Sequence, residues 1–123
     1  MAMPEGPPVD IPLVEPEDVP RPPQDVRLRE VAVAPRPDGH RLRVSLRLTP
    51  FLERPNVDLE VRDPSGEYLA SATIVETTEP DLTLTLHVRP GLTDGSMTLV
   101  TSVSYKEHGM VDRRETSFTA IQE

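Results

Sequence analysis

Arg41-Leu42-Arg43-Val44-Ser45-Leu46-Arg47-Leu48 alternates apolar and polar residues without a break, and that period of two is the signature of a half-buried β-strand. The same period extends in both directions. Upstream, Val26 and Leu28 alternate with Arg27 and Arg29, and Val31 and Val33 then resume out of phase, which predicts a bulge near Arg29 and Glu30. Downstream come Val57, Leu59 and Val61, then Tyr68, Ala70, Ala72 and Ile74 with Leu69 and Val75 on the other face. Leu82, Leu84, Leu86 and Val88 form a fifth run, and Met97, Leu99, Val103 and Tyr105 a sixth. The last run carries Phe118 and Ala120 in one phase, or Val111 and Ile121 in the other. Seven strands and no helix result. Turn residues punctuate them at Pro37-Asp38-Gly39, Asp63-Pro64-Ser65-Gly66, Thr93-Asp94-Gly95-Ser96 and Glu107-His108-Gly109, each with a glycine able to take a positive φ.

The remaining composition narrows the function classes. The 123 residues fit one domain, and 36% hydrophobic but only 3% aromatic residues mean an aliphatic core, not a platform of stacked rings. There is no cysteine, hence no disulfide framework, cysteine-bound zinc or thiol nucleophile. A net charge of -8 argues against nucleic acid as the main partner. Eight of the 15 prolines lie in the first 24 residues, with Glu5, Asp10, Glu15, Glu17 and Asp18 against a single Arg21. Residues 1–24 are therefore expected to be an acidic, disordered proline-rich tail, and residues 25–123 the folded domain. No signal peptide or membrane-length apolar run occurs, so a cytoplasmic location and no membrane partner are expected.

Short strands spaced by such turns predict an all-β, two-sheet antiparallel sandwich. Across the Asp63 to Gly66 turn, Arg62 facing Glu67 would set Val61 opposite Tyr68, Leu59 opposite Ala70 and Val57 opposite Ala72, with the apolar sets on one face. The passage Leu86-His87-Val88-Arg89-Pro90-Gly91 through Met97-Thr98-Leu99-Val100 resembles a fibronectin type III module, within the wider immunoglobulin-like architecture. That resemblance implies the first, second and fifth strands in one sheet and the fourth, third, sixth and seventh in the other. It carries no ligand with it.

With the leucines and valines of the first sheet turned inward, its outer face would carry Arg27, Arg29, Arg41, Arg43, Arg47 and Arg89 around Ser45, Thr83, Thr85 and His87, without a carboxylate. Two readings stand: a solvated face that keeps the sheet soluble, or a surface that docks an acidic segment through paired guanidinium hydrogen bonds. The acidic segment would belong to another protein or to the chain's own tail at Glu15, Glu17 and Asp18. At one end of the sandwich Asp38, Asp63 and Asp94 are turn formers that could alternatively hold calcium; no metal or other cofactor is expected. At the other end, which gathers residues 50–56, 77–80 and the His108 hairpin, Phe51 and Leu52 either cap the core or form an apolar contact.

Catalysis finds no constellation. His40, His87 and His108 lie in separate segments, and Asp58 and Glu60 share an open strand face instead of a cleft. The sequence thus reads as a non-catalytic protein-binding or scaffold module, alternatively an accessory domain of an extracellular or cell-envelope assembly. Asp112, Arg113, Arg114 and Glu115 would guard the last strand, leaving the first or fourth strand as an edge for a monomer or weak homodimer.

Overall fold

A computed structural model describes residues 19–88 and 96–119. Among them the strands are β1 (Leu28–Pro35), β2 (Arg41–Leu48), β3 (Asn56–Arg62), β4 (Tyr68–Ile74), β5 (Asp81–His87), β6 (Ser96–Tyr105) and β7 (Gly109–Thr119). They form two antiparallel sheets, β1-β2-β5 and β4-β3-β6-β7, the division the immunoglobulin-like resemblance implies. The alternation explains the packing. Leu42, Val44, Leu46 and Leu48 of β2 meet Val57, Leu59 and Val61 of β3 and Leu99 and Val103 of β6 in the core, all at most 3% exposed. Burying an aliphatic side chain of this size contributes about 1.5–3 kcal/mol.

The bulge expected at Arg29 and Glu30 is present. Leu28 pairs with Leu48 and Glu30 with Arg47, so Arg29 is the extra residue. Leu28 turns its backbone away from β2, whose Leu48 N–H is itself taken by the Pro80 carbonyl at 2.8 Å. Two side chains of β7, in the other sheet, satisfy it. Asp112 Oδ2 accepts the Leu28 N–H and Arg114 donates to the Leu28 carbonyl, both at 2.8 Å. Asp112 and Arg114 lie opposite Val103 and Thr101, in the same phase as Phe118 opposite Met97, so they point into the sandwich where it would otherwise gape. The charges expected to guard an edge are in part a clasp between the sheets. Phe118 occupies the inward phase, and Val111 is the extra residue of a bulge between Val103 and Ser104.

The register of β3 on β4 differs from expectation. Val57 pairs with Ile74, Leu59 with Ala72 and Val61 with Ala70, two residues beyond the alignment a tight turn would give. The cause is twofold. Gly66, at φ 92°, closes a loop in which the Gly66 N–H bonds the Asp63 carbonyl and the Asp63 N–H the Glu67 carbonyl. Leu69 then bulges between Tyr68 and Ala70. The slip is even, so the apolar set still faces the core, but Tyr68 moves outward: it is 64% exposed, with the Arg62 guanidinium 4.9 Å from its ring centre.

The chain also contacts the sandwich before Asp25. Arg21 bridges Phe51, exchanging bonds with the Pro50 carbonyl and the Leu52 N–H, and Pro23–Asp25 form one 3-10 turn. Glu15, Glu17 and Asp18 lie outside the described residues.

Replacing Asp112 by Ala strands the Leu28 N–H at a half-closed edge. The expected cost is about 1–3 kcal/mol in denaturant unfolding, with the Leu28 amide gaining exchange rate more than the amides of β3.

Candidate functional site

The outer face of β1-β2-β5 is built by register. Arg41 lies opposite His87, Arg43 opposite Thr85, Ser45 opposite Thr83 and Arg47 opposite Asp81. On the other flank, Arg43 faces Ala34, Ser45 faces Ala32 and Arg47 faces Glu30. The face therefore carries two carboxylates where none was expected. The bulge at Arg29 rotates Glu30 onto it, and Asp81 begins β5 one register step before Leu82. Arg47 is neutralised between them, with Nε 3.5 Å from Asp81 Oδ1. Arg29 departs from the row as the bulge residue, and Arg27 spends Nη1 on the carbonyls of Gln24 and Val26 at 2.8 and 2.7 Å, bracing the 3-10 turn. Arg89 lies outside the described residues.

What remains basic is one end of the face. Arg41, Arg43 and His87 are exposed there, beside Arg36 in the β1–β2 loop. Arg41 is held by Asp38, 2.5 Å from its Nε, whereas the Arg43 side chain has no ion pair or hydrogen bond among the described residues. Ala34 and Thr85, flanking Arg43, are small enough to leave its guanidinium open to a ligand. The sorting follows from the sequence: β2 supplies cations at alternate positions, and the acidic residues sit in turns and at strand ends.

The turn aspartates are occupied by their own loops. Asp38 accepts the His40 N–H and the Arg41 side chain, in that order of effect, and its carboxyl is held below the usual range. Asp63 accepts the Ser65 hydroxyl at 2.6 Å and the N–H groups of Ser65 and Glu67, and is likewise held down. No acidic or histidine cluster with metal-holding geometry occurs among the described residues. Asp94 lies outside them. Both lowered carboxyls support the fold above the unfolded carboxylate pKa, and that support fades as pH falls through their folded values.

At the opposite end the two apolar candidates separate. Phe51 packs partly buried against the core, whereas Leu52 is 68% exposed. The neighbouring cleft of about 450 Å³ was not legible in the sequence as a cavity; it is lined by Glu53, Arg54, Glu76, Tyr105, Lys106 and His108, among others. Tyr105 anchors it, donating from its hydroxyl to the Glu53 carbonyl at 2.8 Å with the His108 ring edge-on at 6.1 Å. Burial, aided by the Glu53 charge, pushes the Tyr105 phenol up to about 12. Glu76 adopts a left-handed φ of 48° on the rim, stabilised by its N–H bond to Asn56 Oδ1 at 2.8 Å.

No protein-family model and no curated protein matches this chain. Solved structures do. A family 2 glycosyl hydrolase from Bacteroides cellulosilyticus is similar over 76% of this chain and 14% of its own, at 13% identity and a TM-score of 0.58. A β-glucuronidase from Ruminococcus gnavus, in complex with D-glucuronic acid, matches 80% of this chain and 16% of its own, at 16% identity and 0.55. A Bifidobacterium dentium β-glucuronidase matches 78% and 18%, at 13% identity and 0.55. The likeness is one of fold, and the chain spans about one-sixth of the length of these enzymes.

Two measurements check the geometry of this end. Phe51→Ala is expected to cost about 1–3 kcal/mol, less than a fully buried phenylalanine, and Leu52→Ala less than about 0.5 kcal/mol. In an ultraviolet titration one phenolate step is expected near pH 12 and should disappear in Tyr105→Phe. Because the folded pKa is raised, the hydroxyl's contribution is complete below the unfolded value of about 10 and is lost as pH rises towards 12.

Proposed function

We propose that this chain is a non-catalytic β-sandwich module that docks a carboxylate-bearing segment of another protein at the Arg41, Arg43 and His87 end of its three-stranded sheet. The observation that carries this reading is Arg43: exposed, central in the row, and with a side chain that has no ion pair or hydrogen bond among the described residues. A guanidinium offers two parallel donors matched to a carboxylate, and Arg41 and His87 stand opposite each other one alternate position away. The acidity of the chain is unevenly spread along the sequence. Five of the 21 acidic residues and none of the basic ones lie in the first 18 positions.

The non-catalytic reading is supported by the carboxylates. Asp58 and Glu60 sit on the outer face of β3, bonded to the Thr73 hydroxyl at 2.6 Å and to Arg62 at 3.2 Å. Glycoside hydrolysis needs its carboxyl pair across a substrate in a cleft, and these two stand side by side on an open sheet face. A second reading, an accessory domain of an extracellular or envelope assembly, is favoured by the fold's likeness to a small share of much larger hydrolases. Both readings make the chain a building block whose chemistry resides in a partner.

Titration of the isotope-labelled chain with a glutamate-rich peptide tests the docking. At low salt the amides of Thr83, Thr85 and His87 are expected to shift, and 0.5 M salt, with a Debye length of about 4 Å, should abolish the effect. Exchanging Arg43 for Ser is expected to weaken binding by up to about fivefold, the range of one exposed ion pair. Shifts confined to the Tyr105 cleft, or insensitive to salt, would overturn the assignment.

A further inference from the structure

The two sides of the sandwich are finished differently. Where β1 and β7 meet, the backbone of the outer strand is clasped by Asp112 and Arg114. On the other side β4 ends its sheet with no strand beyond it among the described residues. Its run Tyr68-Leu69-Ala70-Ser71-Ala72-Thr73-Ile74-Val75 contains no charge, proline or glycine. Charge and proline are devices by which natural edges are blunted; a bulge is another, and the one here, at Leu69, lies at the start of the strand, ahead of the Ala70 to Val75 stretch. The inward residues Ala70, Ala72 and Ile74 are only partly buried, whereas Val57, Leu59 and Val61, their partners on β3, are fully buried. Val75, just past the strand, is 68% exposed. β5, the neighbouring edge, is a poorer template, because its charge-free stretch ends at Asp81 and His87 and so spans only residues 82–86.

We infer that β4 is a self-association edge, at which two copies of this chain pair antiparallel about a two-fold axis through Ala72. The four-stranded sheets then join into one. Faces must match across the junction, which restricts the axis to a residue position, and Ala72 lies near the middle of the run. In that register Ser71 of one copy faces Thr73 of the other on the outer side, and Ala70 faces Ile74 on the inner side. A hydroxyl pair and a small–large apolar pair are both favourable across strands. No like charges stand opposite each other. Glu67 and Glu76 flank the run and end it, with Glu76 already turned out of the strand by its left-handed backbone. The proline-rich sequence of the first 24 residues is a poorer source of an added strand, because each proline lacks the donor that a ladder uses.

This contact lies on a different sheet from the arginine row, and salt separates the two. Flanking carboxylates and a net charge of -8 oppose self-association, so it should tighten as salt is raised, whereas docking on arginines weakens.

Sedimentation equilibrium of the full chain at 0.05 and 0.5 M salt tests the inference, beside Ser71→Lys with Thr73→Lys. Both positions are outward and exposed, and a lysine at 73 gives up the Thr73 hydroxyl bond to Asp58 but stays beside that carboxylate, so the chain should still fold while dimerisation weakens at least tenfold. The natural chain lacks cysteine, which allows an independent check. Ala72→Cys should oxidise to a covalent dimer, and Ser117→Cys, exposed on β7, should not. A chain monomeric at all concentrations, a dimer indifferent to the lysines or loosened by salt, or failure of Ala72→Cys to cross-link would each overturn it.

Discussion

The hydrogen bonds that Asp112 and Arg114 give the backbone of Leu28 are the constraint on which the rest of the molecule turns. A bulge in an edge strand exposes an N–H and a carbonyl that its partner strand cannot reach, and leaving such groups dry costs about 1–3 kcal/mol each. Here the deficit is met from the opposite sheet, by two charged side chains that point inward from β7. An inward charge at a sheet edge is ordinarily a deterrent to strand addition. In this protein it also acts as a crosslink, so one side of the sandwich is closed by polar chemistry and the other is left to apolar packing alone.

That asymmetry sets the surface electrostatics. Because the bulge inserts Arg29, the residue that follows is turned over, and Glu30 joins the outer row beside Arg47. Together with Asp81 it neutralises one half of the face and leaves the Arg41, Arg43 and His87 half basic. The clasp that shuts the β1 edge thus determines where the positive charge survives. A sheet without the bulge would present Arg29 in the row in place of Glu30 and leave Asp81 facing more cations, a better polyanion binder and a less selective one.

The division between two sheets came from the immunoglobulin-like resemblance, whereas the strands and the bulge in β1 were legible because a period of two reports burial directly. The parity of β3 on β4 was legible for the same reason, and its register was not. Gly66 and the Leu69 bulge together add two residues to the hairpin, and an even slip leaves the apolar pattern unchanged. Alternation cannot detect what preserves parity. The carboxylates of the arginine face were less legible: the phase break marks a bulge near Glu30, but which residue the bulge leaves unpaired, and hence that Glu30 joins the outer row, is set by the register on β2. The inward phase of Asp112 and Arg114 could have been found by stepping back in twos from Phe118. The charges there masked it, since charged residues on a strand are usually assigned to water.

The Tyr105 cleft shows the limit more sharply. Its walls come from the loop before β3, the segment after β4 and the β6–β7 hairpin, which no local pattern connects. What brings them together is the sheet order, with β3 placed between β4 and β6. Thr77 then ties the segment after β4 to the loop before β3 by donating its backbone N–H to the Pro55 carbonyl at 2.9 Å, while the Tyr105 hydroxyl holds Glu53. Sites assembled from strand ends in this way depend on the register of every intervening strand. A fold can therefore be shared with one-sixth of a glycosidase while each loop end carries its own chemistry. For this chain the sheet faces and edges, whose side chains are placed by the ladder itself, are the firmer ground for reading function.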